Sequence, residues 1–558
     1  MKKNWLLKSL SLVLAGTMML GIAGCGNTDD NKSVEKSTDT EVSGSSEIGT
    51  STAVSGENQK EDEFVLSYPL DTDIAFSFFV ADTLVPPDHN FDKSLWHQGL
   101  EEATGIKVEW QFQPGDTYTN LDLTLAVKED RPDAFTRAIW DNTTETQWIV
   151  DDVIVDLTDY LPIYAPDLWE YLHKEGNEST LKAVTDDEGR FWYVPGLRES
   201  LATTNYTGPV IRQDWLKECG LDMPITMEDW EKVLVAFNEK YGAKFVTRLG
   251  AFKSNGLASG TGAMGGLAGG FYLDDGKVKL ANIQPEWKEY ISYLAKWYDM
   301  GLIDEDMFAG DNAMLRQKAL NGETGIIFNS QSQLTLYCQD ADANNTGAEW
   351  VGLSYPRTEA GAPTSCIQVG VDTTYSQRAY ISTTCDKEKI PTILAWLNYP
   401  YTEEGMLYYN YGQEGVSYTL DANGTPQWTD LVLNDPNGRD EGIKKWSAMT
   451  GTCIGVQLVS FVESRNIPVA VEAARTWFEN TEAPKYMLPT LSLTEDETLV
   501  YADTWNACST YIEECAIAFM TGEKSLDEFD AYVQELNKLG LQDIISIQQA
   551  AYDRYVSK

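Results

Sequence analysis

Apolar residues recur at helical spacing from Trp96 to Thr104 and the run closes at Gly105, which predicts an amphipathic helix with a glycine at its C-terminal end. On either side, Phe64–Leu66 and Ile106–Phe112 alternate apolar with polar positions and predict strands. Tyr118–Lys128 repeats apolar residues at Leu121, Leu125 and Val127 in a second helical pattern, and Arg131-Pro132-Asp133 leads into Ala134–Trp140, a buried strand. The order is a βαβαβ start, which calls for α/β layers. Further on, Gly189–Gly196 reads as a turn into a short aromatic strand, and Ile211–Gly220 as a helix stopped by glycine. Thr226 is placed to cap the next helix, with Asp229 three positions on to return the bond. Trp287–Met300 is amphipathic and ends at Gly301, and from about Ala502 the chain is helical over Ala502–Met520, Leu526–Leu539 and Gln542–Tyr555. Trp96, Trp215, Trp230 and Trp287 have apolar partners three or four positions away and belong to the core.

The first sixty residues follow other rules. Lys2 and Lys3 precede an apolar run from Trp5 to Leu14, and Ile22-Ala23-Gly24-Cys25 offers small residues before a cysteine. That is a signal peptide over 1–24 whose cleavage would leave Cys25 at the new N-terminus, free to carry a diacylglycerol; a plain signal peptide or a transmembrane anchor are the alternatives. Gly26–Glu63 is built of Gly, Ser, Thr, Asn, Asp, Glu and Lys, too polar to offset its ordering entropy, so 25–63 is expected to be a disordered tether on the extracellular face of the membrane. The remainder exceeds the roughly 250–300 residues at which one core stops growing, which requires two lobes.

Charge and chemistry narrow the function. With 42 basic against 86 acidic residues the net charge is -44, which excludes nucleic acid as a partner. Besides Cys25, Cys219, Cys338, Cys366, Cys385, Cys453, Cys508 and Cys515 form no CxxC pair; free buried thiols are the preferred reading, with one or two disulfides as the alternative. The three His (His89, His97, His173) lack metal-ligand spacing, and no cofactor or metal is expected. Gly260–Gly265 fits G-x-G-x-x-G but follows more Gly and Ser instead of a strand, so it reads as a loop. Asp274-Asp275-Gly276 and Asp421–Gly424 read as hairpin turns, and Asp435, Asn437, Asp440 and Glu441 make a calcium-like run weaker than an EF-hand.

Seven short segments together carry a resemblance: Leu100–Trp110 (LEEATGIKVEW), Pro132–Ala134, Ile211–Leu221 (IRQDWLKECGL), Pro224–Trp230 (PITMEDW), Gly301–Asp304 (GLID), Gly412–Tyr418 (GQEGVSY) and Phe519–Lys524 (FMTGEK). In order and spacing they resemble the long extracellular solute-binding lipoproteins of Gram-positive ABC sugar importers. The resemblance implies an α/β, two-lobed periplasmic-binding-protein-like fold of type II, with hinge-crossing strands, helical additions at the C-terminus and a carbohydrate in the interlobe cleft. It also implies membrane permeases and a cytoplasmic ATPase as partners, and a monomeric binding protein instead of an enzyme.

By position, the chain should cross between lobes near Leu201–Val210, return near Asn321–Asn329 and cross again near Gly370–Arg378. This puts 64–205 plus 320–370 in lobe one and 206–319 plus 371–558 in lobe two. Pyranose rings stack on aromatic faces and their hydroxyls need planar donors and acceptors, so the candidate ligand-binding pairs are Trp140 with Asp141, Trp192 with Arg198, Asn329 with Ser330, Asp372 with Tyr375, and Tyr411 with Glu414. Two rival readings stay open at this point: a lipid-anchored carbohydrate-active enzyme, and a binding protein for peptides or another non-sugar solute.

Overall fold

The strands fall into two main sheets, each with its own core. The computed structural model describes residues 66–139, 143–247, 256–264, 270–308, 311–367, 370, 372–449 and 454–558; the leader, Cys25, the tether, Cys453 and the candidate pair Trp140–Asp141 lie outside them. In chain order the strands are β1 (Phe76–Ala81), β2 (Val108–Gln111), β3 (Ala134–Ala138), β4 (Val194–Arg198), β5 (Thr207–Arg212), β6 (Phe271–Asp274), β7 (Lys277–Leu280), β8 (Ile326–Ser330), β9 (Trp350–Gly352), β10 (Thr374–Ile381), β11 (Tyr418–Leu420), β12 (Pro426–Trp428) and β13 (Gly455–Gln457).

Lobe one is the six-stranded sheet β13-β4-β10-β3-β1-β2. β1 runs parallel to β2 and β3, and β13 parallel to β4, while β10 is antiparallel to both β3 and β4. β1 reads FSFFVA, an apolar run with one serine, because a central parallel strand is covered on both faces; Phe76, Phe78 and Val80 are fully buried. Of the strand expected at Phe64–Leu66, Phe64 and Val65 lie outside the described residues. The helices on either side form as their spacing predicts. Leu95–Thr104 ends at Gly105 with φ 71°, a left-handed position that glycine occupies without a Cβ penalty.

Lobe two is built on the antiparallel sheet β8-β5-β9. Its core gathers Val210 and Ile211 from β5, Trp230 and Phe237 from helix Met227–Tyr241, Trp297 from helix Pro285–Asp299, and Cys508, Phe519, Tyr532 and Ile544 from the C-terminal helices. Thr226 and Asp229 form the reciprocal cap, with Thr226 Oγ1 accepting from the Asp229 amide at 3.3 Å. The predicted helix at Ile211–Gly220 starts two residues later, at Gln213, because Ile211 and Arg212 complete β5. The C-terminal helices are Glu495–Thr521, Phe529–Lys538 and Leu541–Ser557.

The chain first passes from the six-stranded sheet to the three-stranded one between β4 and β5, and the two later crossings differ from the assignment by position. Asn321–Asn329 stays in lobe two, since β8 pairs with β5 from Thr207↔Ser330 to Ile211↔Ile326. The chain returns to lobe one only between β9 and β10, and crosses finally after β13, before helix Pro468–Phe478 packs on β5 and β9. Residues 374–457 therefore belong to lobe one and 326–352 to lobe two, the reverse of the assignment by position. A strand's apolar run says that it is buried, not which sheet buries it.

The Asp274-Asp275-Gly276 and Asp421–Gly424 turns join the β6–β7 and β11–β12 hairpins. In the calcium-like run, Asp435 pairs with Lys445 at 2.6 Å, and Asp440 and Glu441 pair with Lys444 at 2.9 and 2.8 Å, so lysines neutralise these carboxylates. Cys219, Cys338, Cys366, Cys385, Cys508 and Cys515 are free thiols.

Candidate functional site

In the six-stranded sheet, the carboxyl ends of β13, β4, β3 and β1 and the amino end of the antiparallel β10 fall on one edge. All three crossings leave from or return to the strands of this edge. It faces lobe two where β5 begins and β8 ends. Open α/β sheets bind ligands beyond the carboxyl ends of their strands, because loops and backbone amides converge there.

Three groups occupy the edge. Arg198, the last residue of β4, lies with its guanidinium carbon 4.8 Å from the centre of the Tyr375 ring and 5.6 Å from that of Tyr206, and donates to the Thr203 carbonyl. Tyr375 comes from β10 and Tyr206 from the segment entering β5, so one guanidinium ties both lobes at the first crossing. Burial pushes its pKa down, meaning that the site taxes the charge, while the two rings favour it. Tyr206 remains 40% exposed.

Further along the edge, Asp82 follows β1. Its Oδ2 accepts from Gln377 Nε2 at 2.7 Å and its Oδ1 from the Leu84 amide at 2.8 Å. Burial raises the Asp82 pKa from 3.8 to about 6, against the two hydrogen bonds, which act downward. Arg137, near the end of β3 and so between Arg198 and Asp82 in the strand order, pairs with Asp122 and lies 5.3 Å from the centre of the Tyr118 ring. On the lobe-two side, Asn329 donates to the Tyr337 hydroxyl at 2.9 Å and to Asn312 Oδ1 at 3.3 Å. Ser330 Oγ accepts from the Gln333 amide and caps helix Gln331–Ala343.

A family model for bacterial extracellular solute-binding proteins matches residues 90–407, from the helix after β1 to the helix before β11. The chain belongs to this family. Such proteins bind a solute outside the cell instead of transforming it.

Among relatives of this solute-binding protein, the fructooligosaccharide ABC transporter substrate-binding protein FusA of Streptococcus pneumoniae is 23% identical over 519 residues, covering 88% of this chain and 92% of that protein. Lipoprotein LipO of Bacillus subtilis is 25% identical over 354 residues, 60% of this chain and 66% of that protein. The HMO-binding ABC-transporter-associated solute-binding protein of Bifidobacterium longum infantis has the same fold, with a TM-score of 0.69 at 20% identity over 86% of this chain and 99% of that one.

Of the sequence-derived candidates, the structure brings together Arg198 and Tyr375, and sets Asn329 and Ser330 at the facing end of β8. Asp372 also lies beside this edge but is turned inward. Its Oδ1 accepts from the Thr374 amide and hydroxyl at 2.8 and 2.5 Å, and burial raises its pKa. Three candidates depart from expectation. Trp192 precedes β4 and donates its Nε1 to Asp186 at 2.8 Å, with Arg190 over its ring, so it does not accompany Arg198. Tyr411 is fully buried in a satellite core with Trp428, Val432 and Phe461. Glu414 sits on the exposed turn leading into β11. The β11–β12 hairpin folds over the Tyr411 ring, a tertiary contact that its pairing with Glu414 along the chain does not show.

Asp82, Gln377, Arg137 and Tyr206 were not among the candidates. Asp82 had a legible signal, since a carboxylate directly after a continuous apolar run marks the end of a buried strand. Tyr206 had none.

Proposed function

We propose that this protein binds an oligosaccharide in the interlobe cleft and hands it to the permeases of an ABC importer. The observation that carries the reading is Arg198 between Tyr206 and Tyr375 at the crossing of the lobes: planar N–H donors for hydroxyls beside an aromatic face for pyranose C–H groups. FusA, by its name a fructooligosaccharide protein, and the HMO-binding neighbour support the ligand class. Asn329 belongs to the lobe-two side of the site and Asp372 supports it indirectly through Thr374, and Trp140 and Asp141 are kept as ligand candidates from the sequence. Closure around the ligand, which gains contacts in the closed form only, is the signal the importer reads.

Cys25 carries the lipid after cleavage of 1–24, and 25–63 tethers a monomer to the outer membrane face. LipO, by its name a lipoprotein, supports the anchor. Labelling cells with radioactive palmitate should mark the wild-type chain and not Cys25→Ser.

Thermal-shift titration with kestose, a milk-oligosaccharide mixture, alginate oligomers and short peptides tests the ligand class. A true ligand at 100 times its Kd adds about 2.7 kcal/mol of stability. Arg198→Ala and Tyr206→Ala should each weaken a responding sugar at least about tenfold, the value of one cation–π or stacking contact in a desolvated site. Stabilisation by peptides alone, or sugar binding indifferent to both substitutions, would refute the assignment.

A further inference from the structure

The lobes meet a second time, at residues remote in sequence from the three crossings. Arg554, on the helix Leu541–Ser557 of lobe two, pairs with Asp187 of lobe one, and the same guanidinium binds Glu497 of lobe two at 2.6 Å and the Ser492 carbonyl at 3.0 Å. One turn later Lys558 donates to the Thr185 carbonyl at 2.8 Å and lies 3.6 Å from Asp187 Oδ1. Tyr555, between them, lies under the Lys182 ammonium at 5.5 Å. Side-chain exposure of Asp187 is 18% and of Lys558 10%, so these groups are largely withdrawn from water.

We propose that Arg554 and Lys558 form an electrostatic latch that holds the lobes together independently of bound solute. The partition of charge supports it. Within a chain of net charge -44, two acidic bodies repel on approach, and here Arg554 and Lys558 of lobe two reach Asp187 and the Thr185 carbonyl of lobe one, while Glu497 holds Arg554 in place from its own lobe. The contacts also border a cavity of about 280 Å³ lined from lobe one by helix Thr143–Val150 and by residues between Ala183 and Tyr193, and from lobe two by Ser492–Glu495, so the seam is only partly packed. Rotation about the crossings cannot separate these walls without breaking both ion pairs. The hinge equilibrium is therefore set at two places: the cleft, where solute acts, and this seam, where the chain's own cations act. The inference goes beyond sugar binding, and its test requires no ligand.

The test is small-angle scattering and amide hydrogen exchange on the full chain without solute, comparing wild type, Asp187→Asn, Lys558→Met and, as a control, Lys217→Ala, whose exposed pair with Glu349 lies within lobe two. Measurements at about 0.01 and about 1 M salt span Debye lengths of about 30 and 3 Å. Wild type and Lys217→Ala should be compact at both salts, because the latch pairs are largely withdrawn from water and are screened little. Both latch variants should be expanded in low salt, where the acidic lobes repel, and less so in high salt, with amides of 182–190 and 492–497 exchanging at least tenfold faster in low salt and the β1 and β5 amides unchanged. Latch variants that scatter like wild type in low salt would overturn the proposal. So would faster exchange throughout lobe one, which would make these contacts part of that lobe's folding instead of a latch.

Discussion

Replacing Asp82 with Asn should stabilise the protein at neutral pH and remove part of its pH dependence. The Asp82 carboxyl is 2% exposed and is held by one side-chain amide and one backbone amide, too few to replace the water it has lost. Its pKa rises from 3.8 to about 6. At about 1.4 kcal/mol per tenfold, keeping this group ionised in the folded state costs about 3 kcal/mol. The sign follows from linkage. Between about pH 4 and 6 the folded chain holds a proton at Asp82 that the unfolded chain has released, so stability falls as pH rises through that window and levels off above it. Asn cannot ionise, and Gln377 can turn its carbonyl toward the new amide. Thermal unfolding of both proteins from about pH 4 to 7.5 should show the variant gaining on wild type by up to about 3 kcal/mol, or about 3 °C for a folded unit of this size, as pH rises. A difference that is constant across the range would refute the argument. A group this costly at the ligand edge is expected to serve binding, so the stabilised variant should also bind the solute more weakly.

Other perturbations have equally definite outcomes. Arg378 donates to Glu145 at 2.7 Å with both side chains buried, so Glu145→Gln strands a buried guanidinium and should cost about 3–5 kcal/mol in denaturant unfolding, whereas Tyr380→Phe, which deletes only the hydroxyl bonded to the same carboxylate, should cost about 1–2 kcal/mol. Burial drives the His97 pKa well below 6.5, with His89 acting in the same direction. The folded state excludes the proton that the unfolded state takes up below about pH 6.5, so stability falls with acidification there; His97→Phe, whose ring fits among Phe91, Trp96 and Trp110, should flatten that limb of the thermal profile, and an unchanged limb would refute it. Gly208 in β5 lies directly under the Trp477 ring, and a Cβ there would overlap it, so Gly208→Ala should cost about 1–3 kcal/mol and loosen helix Pro468–Phe478, visible as faster amide exchange in that helix.

Local chemistry alone determined a good deal of this molecule. Helix ends at Gly105, Gly220 and Thr226 follow from backbone freedom and from one side chain satisfying nearby amides, which needs only neighbours in sequence. The same holds for the hairpin turns at Asp275-Gly276 and Asn423-Gly424. The α/β, two-lobed fold was legible from the resemblance, and Arg198 and Tyr375 were legible as polar and aromatic residues beside predicted strand ends. Tertiary structure alone decided which sheet takes a strand. IIFNS at β8 and TYSQRAYI at β10 are both apolar enough to be buried, and only pairing with Thr207–Arg212 in one case and with Ala134–Ala138 in the other assigns them to opposite lobes. It also decided the site: Tyr206 joins it because β4 and β5 lie across a hinge, and Tyr411 leaves it because a hairpin covers its ring. Contacts of that kind depend on chain closure over distances at which sequence spacing carries no direction, so the hinge geometry and the lining of the cleft exist only once the two lobes have folded.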